Sequence, residues 1–302
     1  MRREMSQTGR TSAPPTHGSR RSLRSLLTMR VFLVLRRGAA PSRRTSLAAI
    51  ALILLALPLA ARAADAPTAQ DMLTLADKVR NPGDSFRLTS TLVEYVDGKE
   101  RDRSVVIVFA KEDKASGQFN NLVRFAEPAR DEGKMVLFHG TKLWFYDPAS
   151  KASVPISPQQ RLIGQASDGD VLTVNLARDY TAKVIGDEKL QDAERKERDC
   201  WHLDMVASND EAVYSHVEMW LEKGTYNPVK SKFYSDSGRI LKIAYYRKFE
   251  QILGGLRPTE TIIIDAVDAK LVTTVTTSDP RFQEIPDSWF QRDFLPRLKI
   301  EQ

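Results

Sequence analysis

The chain has 302 residues, 42% hydrophobic and 28% charged, an ordinary globular composition with room for one large or two small domains. Its net charge of +6 is unevenly placed: of 45 basic and 39 acidic residues, twelve Arg and only Glu4 fall in 1–63, leaving 33 basic and 38 acidic residues beyond. A mildly acidic main part removes the chief support for nucleic-acid binding, which needs clustered Lys and Arg, and a lone cysteine, Cys200, excludes an intrachain disulfide.

The leader is the first element. Arg43 and Arg44 precede an uncharged apolar run from Leu47 to Ala60, and Ala61-Arg62-Ala63 fits a small-x-small cleavage site. That order describes a secretory signal peptide with Ala64 as the mature N-terminus. The run is shorter than the roughly 20 residues a spanning helix needs. Residues 1–45 are longer than a signal requires, so Met29 is an alternative start to Met1. The reading divides the chain into a cleaved N-terminal extension plus signal peptide, 1–63, and one domain, 64–302.

Within that domain, Met72, Leu75, Ala76 and Val79 recur at helical spacing and Asn81-Pro82-Gly83 stops the run, which predicts an amphipathic helix. Strands follow. Ser85 to Val96 alternates and ends at Asp97-Gly98, a hairpin signal. The run 104–110 is apolar on both faces. Gln118 to Phe125, Lys134 to His139 and Lys142 to Tyr146 carry a dense aromatic load with Phe138, Trp144 and Phe145, closed by turn residues. Val154 and Ile156 mark a further short strand. From Pro158 to Tyr180 alternation stops, and one or two short helices or an irregular crossover are expected to lie across the sheet. A short strand at 181–185, an exposed charged turn at 191–199, and strands at 200–206, 216–221, 229–234, 240–249, 259–266 and 271–277 complete the set. Trp289, Phe290, Phe294 and Leu295 predict a docked terminal helical turn. The tally is about eleven strands with few helices, and a long antiparallel sheet tends to curl or close through its twist.

Catalytic signatures are missing: the sequence has no P-loop, G-x-S-x-G, H-E-x-x-H or C-x-x-C. His139, His202 and His216 fall in different strands. His202 and Asp204 share a strand face, which allows acid–base or metal chemistry, but a pair of surface polar residues explains them better. Asp168 and Asp170 flank Gly169 and read as turn or N-cap residues, with Asp170 opening the helix that follows. Neither a metal, a cofactor nor an enzymatic activity is expected, and binding is favoured over turnover.

The string Phe125, Pro128, Gly133, Leu137, Gly140, Leu143, Trp144, Tyr146, Pro148, Ile156, Ser157, Ser167 and Asp168, with Val217 to Tyr234 and the E-T-x-I strand after Pro258, resembles the LolA-like outer-membrane lipoprotein-sorting proteins over nearly all of 70–298. The chain is longer than the compact lipoprotein carrier and resembles the broader subgroup. The resemblance implies an incomplete antiparallel β-barrel wrapped over a few short helices, and a monomeric periplasmic carrier that shields the acyl chains of a lipoprotein or lipid during transfer towards the outer membrane. It also implies an inner-membrane permease as partner. The expected apolar lining is Phe86, Leu88, Leu92, Phe125, Leu137, Trp144, Tyr146, Leu203, Met205, Met219, Leu221, Ile243 and Tyr245. The rival expectation is a non-carrier accessory protein that docks to a lipid-export permease.

Overall fold

Antiparallel hairpins follow one another along the chain because short alternating runs are separated by turn residues at the right spacing. In a computed structural model, which describes residues 67–210 and 212–298, Asp97 and Gly98 both take positive φ (51° and 74°). That is the backbone a two-residue hairpin turn requires, and it joins β1 (Phe86–Val96) to β2 (Lys99–Glu112). The next strands are β3 (Phe119–Glu127), β4 (Met135–His139), β5 (Lys142–Asp147) and β6 (Ala152–Ile156). After the crossover come β9 (Tyr180–Gln191), β10 (Glu197–Ala207), β11 (His216–Glu222), β12 (Pro228–Tyr234), β13 (Ile240–Ile252), β14 (Gly255–Asp265) and β15 (Leu271–Phe282). The secretory-leader reading of 1–63 lies outside the described residues.

These thirteen strands form one sheet in the order β6-β5-β4-β3-β2-β1-β15-β14-β13-β12-β11-β10-β9. Every pairing is between sequence neighbours except β1 with β15, where Leu92 faces Val275 and Thr91 faces Thr276. Two meanders are thereby joined at their first and last strands. The sheet stays open, with β6 and β9 as its edges, and one apolar cluster reaches from Phe138 on β4 through Leu92 on β1 to Leu203 on β10. This is the incomplete barrel expected. Its strands outnumber the expected tally by two, and the short strand and charged turn anticipated between 181 and 199 are one long hairpin, β9–β10.

Helix α1 (Ala69–Arg80) lies on the concave side. Thr68 caps it: the Thr68 hydroxyl accepts from Asp71 N at 3.1 Å and Asp71 Oδ2 accepts from Thr68 N at 3.0 Å, satisfying two otherwise orphaned donors. Its buried stripe is Met72, Leu73 and Ala76. Leu73 replaces the expected Leu75 at its centre, and Leu75 and Val79 are half-buried at the margins.

The 157–180 segment is the irregular crossover expected, with two short helical turns. It contains the strand pair β7 (Arg161–Ile163) and β8 (Ala166–Ser167), a 3-10 turn at Asp168–Asp170 and one turn of helix, α2 (Leu176–Asp179). The C-terminal segment forms two 3-10 turns, Asp287–Phe290 and Arg292–Arg297, as the aromatic spacing predicts. These turns cover the opposite face of β2–β5, burying Ile285, Phe290 and Leu295 against Ile107, Phe109, Leu122, Met135, Leu137 and Tyr146.

Candidate lipid-binding hollow

The concave face and its cover are tied by side-chain clips as well as by apolar contact. Asn121 on β3 donates to Thr173 O and accepts from Thr173 N, both at 2.9 Å. Gln118 Oε1 accepts from Asn175 N at 2.8 Å. From the helix side, Asp77 accepts from Ala177 N at 2.7 Å, and Asn81 Nδ2 donates to Val174 O at 2.9 Å. Helix α1 and the crossover therefore act as one lid, and buried backbone groups that a loop would otherwise leave orphaned are satisfied.

Between lid and sheet lies a hollow of about 220 Å³. Its floor is the inner face of β1, β2 and β11–β15, including Phe86, Leu88, Val108, Met219, Phe233, Ala244, Ile263 and Val275. Its roof is the crossover, with Val171, Leu172, Val174, Leu176 and Tyr180, and one end is bordered by Arg80, Pro82, Ile252, Leu253 and Arg257. An apolar cavity of about 150 Å³ holds a benzene-sized guest. The hollow is larger than that, and polar side chains such as Ser90, Thr259 and Thr261 share its lining with the apolar ones.

A buried polar cluster fastens the roof. Lys242 projects from β13 on the inner face and pairs with Asp170 of the crossover. Its Nζ also reaches Ser167 Oγ at 3.2 Å and stands 5.1 Å from the Tyr214 ring centroid. Tyr214 donates to Asp170 Oδ1 at 3.2 Å, and Tyr180 OH donates to Tyr214 O at 2.9 Å. Asp170 accepts from Ser167 N at 2.7 Å, so it closes the 3-10 turn from its third position and is not the N-cap the sequence suggested. Next to it, burial, and then the Asp170 carboxylate, push Asp168 up to about 7.

The expected lining residues divide between faces. Phe86, Leu88 and Met219 border the hollow. Leu92, Phe125, Leu203, Met205 and Leu221 belong to the continuous inner core around it. Leu137, Trp144 and Tyr146 point to the other side, under the C-terminal segment; their neighbours Val136, Phe138 and Leu143 face inward. Ile243 and Tyr245 also lie outward, Tyr245 beneath Lys230 Nζ at 5.7 Å, because the inner positions of β13 are Lys242, Ala244 and Tyr246. Sequence reasoning missed Lys242, Tyr214 and Arg257. A lysine in an alternating strand reads as solvent-facing, and only the long-range pairing with Asp170 reverses that.

The histidines lie away from the hollow. His202 Nε2 is 3.0 Å from Glu218 Oε2 and its ring stacks on Trp220 at 4.0 Å, while His216 Nε2 is 2.5 Å from Asp204 Oδ1. His202 and Asp204 thus share the outer face but each pairs with β11. His139 contacts Asn120 at an exposed site. Among the described residues, no three His, Cys, Asp or Glu come together as a metal site. Cys200 is fully buried, and burial pushes its thiol up to about 12, the condition of an inert core residue.

A family model described as an uncharacterized protein matches residues 117–297. A LolA superfamily protein from Nitrosomonas europaea matches with 31% identity and a TM-score of 0.67 over 76% of this chain and 100% of its own. An outer membrane lipoprotein-sorting protein domain from Vibrio parahaemolyticus has 20% identity and a TM-score of 0.64, covering 76% and 98% of the two chains. A DUF1329 family protein from Desulfovibrio piger has 20% identity and a TM-score of 0.63 over 75% and 97%. The last two establish likeness of fold alone. No curated protein matches the chain.

Proposed function

The chain belongs to the LolA superfamily, and from that premise we propose that its domain from residue 64 onward is a periplasmic carrier. It shields the acyl chains of a lipid or lipoprotein during transfer towards the outer membrane. The observation that carries the reading is the hollow of about 220 Å³ between the inner sheet face and a lid made of α1 and the crossover. Removing each methylene from water is worth about 0.8 kcal/mol, so an acyl chain crossing an aqueous compartment gains from such a surface. Ordering and association costs consume part of that gain, which keeps the cargo exchangeable. A lid that competes with cargo for the same floor lets binding and release be two populations of one molecule.

Filling the hollow tests this. Ala244 is buried on the floor opposite Ile263. Ala244→Phe is expected to weaken binding of a fluorescent acyl probe at least about tenfold, equivalent to about 1.4 kcal/mol, with the circular dichroism spectrum retained. Unchanged binding would contradict the assignment.

A docking role at an inner-membrane permease is the second reading. It is favoured by the open edge at β9, where Val184 and Ile185 are exposed, since an unpaired strand is a template for another chain. It is compatible with carriage, because Val184 and Ile185 lie outside the hollow's lining, which β9 reaches only at Tyr180.

A further inference from the structure

Two guanidinium groups stand at one end of the hollow, and they differ in their partners. Arg80 is ion-paired with Asp77 at 3.0 Å. Arg257, on β14, is only 8% exposed and its hydrogen bonds go to neutral groups. Nη1 donates to Lys78 O at 3.1 Å and Val79 O at 2.7 Å, and Nη2 to Leu253 O at 3.2 Å. Its Nε–H is buried without a partner, and among the described residues no other buried side-chain nitrogen or oxygen shares that condition.

The bonds from Nη1 have a structural explanation. They cap the last carbonyls of α1, whose partial negative charge favours a cation. A helix end offers about half an elementary charge, which leaves most of a buried guanidinium uncompensated, and a buried charge lacking its counter-ion is costly. The carboxylate in register with it across the strand pair, Glu250, does not supply the balance. Glu250 is exposed, accepts from Thr259 Oγ1 at 3.2 Å and makes no ion pair with Arg257. Burial, with no opposing acid, lowers Arg257 from the usual guanidinium range. The residue therefore combines an unpaired donor that the closed structure covers, an unbalanced positive charge and a place among the residues that line the hollow.

We propose that Arg257 is the headgroup anchor of an anionic amphiphile: when α1 moves to admit cargo and uncovers the guanidinium, a carboxylate or phosphate oxygen accepts the Nε–H, and the hydrocarbon lies along the floor from Phe86 towards Met219. The inference rests on the carrier reading and narrows its cargo to chains with an oxyanion at one end. Neutral lipids of equal length bind less well because they leave the guanidinium unbalanced.

The test is displacement of the neutral probe N-phenyl-1-naphthylamine from the full chain by palmitate, hexadecyl phosphate, hexadecanol, acetate and inorganic phosphate. A charge-assisted hydrogen bond is expected to make the two anionic chains displace at concentrations about tenfold or more below that of hexadecanol. Acetate and inorganic phosphate, which bring no methylenes, should be weaker than palmitate by about a hundredfold or more. Arg257→Gln should erase the preference for charged chains, bringing palmitate and hexadecanol to equal displacement, and Arg257→Lys should retain part of it. Equal displacement by palmitate and hexadecanol, or a preference that survives Arg257→Gln, overturns the anchor. Short anions that displace as well as the chains overturn the single-ligand assignment. If no chain displaces the probe, the carrier reading falls too. Should Arg257→Gln fail to fold, the wild-type comparison and Arg257→Lys decide the matter.

Discussion

Replacing Lys242 by Met removes the cation from the ion pair that fastens the crossover to β13. The side chains of Lys242 and Asp170 are 6% and 11% exposed, so solvent does little to soften the loss. Breaking such a pair by deleting one partner costs about 3–5 kcal/mol. In Lys242→Met, Asp170 keeps three neutral donors, Ser167 N, Ser167 Oγ and Tyr214 OH, which places the loss near the lower end, about 3 kcal/mol. In Asp170→Asn, Lys242 keeps Ser167 Oγ, Gln165 O and the faces of Tyr214 and Phe233, and a similar loss follows. The double variant removes both charges and should cost little more than either single change, so the coupling between sites is about 2–3 kcal/mol. Equilibrium urea unfolding followed by tryptophan fluorescence measures all three. Single losses below about 1 kcal/mol, or a double variant equal to the sum of the singles, would refute the claim that this pair holds the lid.

Three further changes probe other parts of the structure. Burial, and then the Asp170 carboxylate, push Asp168 up to about 7 in the folded chain against 3.8 ordinarily, so the folded state holds the proton more tightly. Stability should therefore fall as pH rises from about 4 to 7 and level off above; Asp168→Asn should be more stable than wild type at pH 8, by on the order of 4 kcal/mol, with the difference closing towards pH 4 in urea melts. Gly164 has φ +52°, and a Cβ there would lie 2.3 Å from Thr273 Oγ1 and 2.9 Å from Glu94 Cγ, so Gly164→Ala should lower the melting temperature by several degrees, a loss of about 2 kcal/mol or more. Phe290→Ala empties the outer-face cluster and should cost about 3–5 kcal/mol while leaving acyl-probe affinity unchanged; a parallel loss of affinity would place the binding surface on the wrong face.

The hairpins and the open sheet were legible in the sequence because turn residues and alternation are local signals. Asp97-Gly98 and Gly140 mark turns wherever the chain is read. The direction of each face was less accessible. Strands β4 and β5 are apolar on both sides, since the lid covers one and the C-terminal segment the other, so alternation at Leu137, Trp144 and Tyr146 gives no inward sense. On β13 the signal inverts: the inner face carries Lys242 and Ala244, and the larger apolar residues Ile243 and Tyr245 point outward. Arg257 was invisible for the same reason as Lys242. Its significance comes from Lys78 and Val79, far away in sequence, and from a donor left without a partner.

Carriage of an acyl chain in the hollow is tested most directly by native mass spectrometry of the protein isolated from its own cells without detergent, followed by organic extraction and a second spectrum. The account predicts a population heavier than the bare chain by the mass of a lipid or acylated species, lost on extraction and recovered when that species is added back. A single bare mass before and after extraction, with no lipid in the organic phase and none taken up on addition, would contradict it.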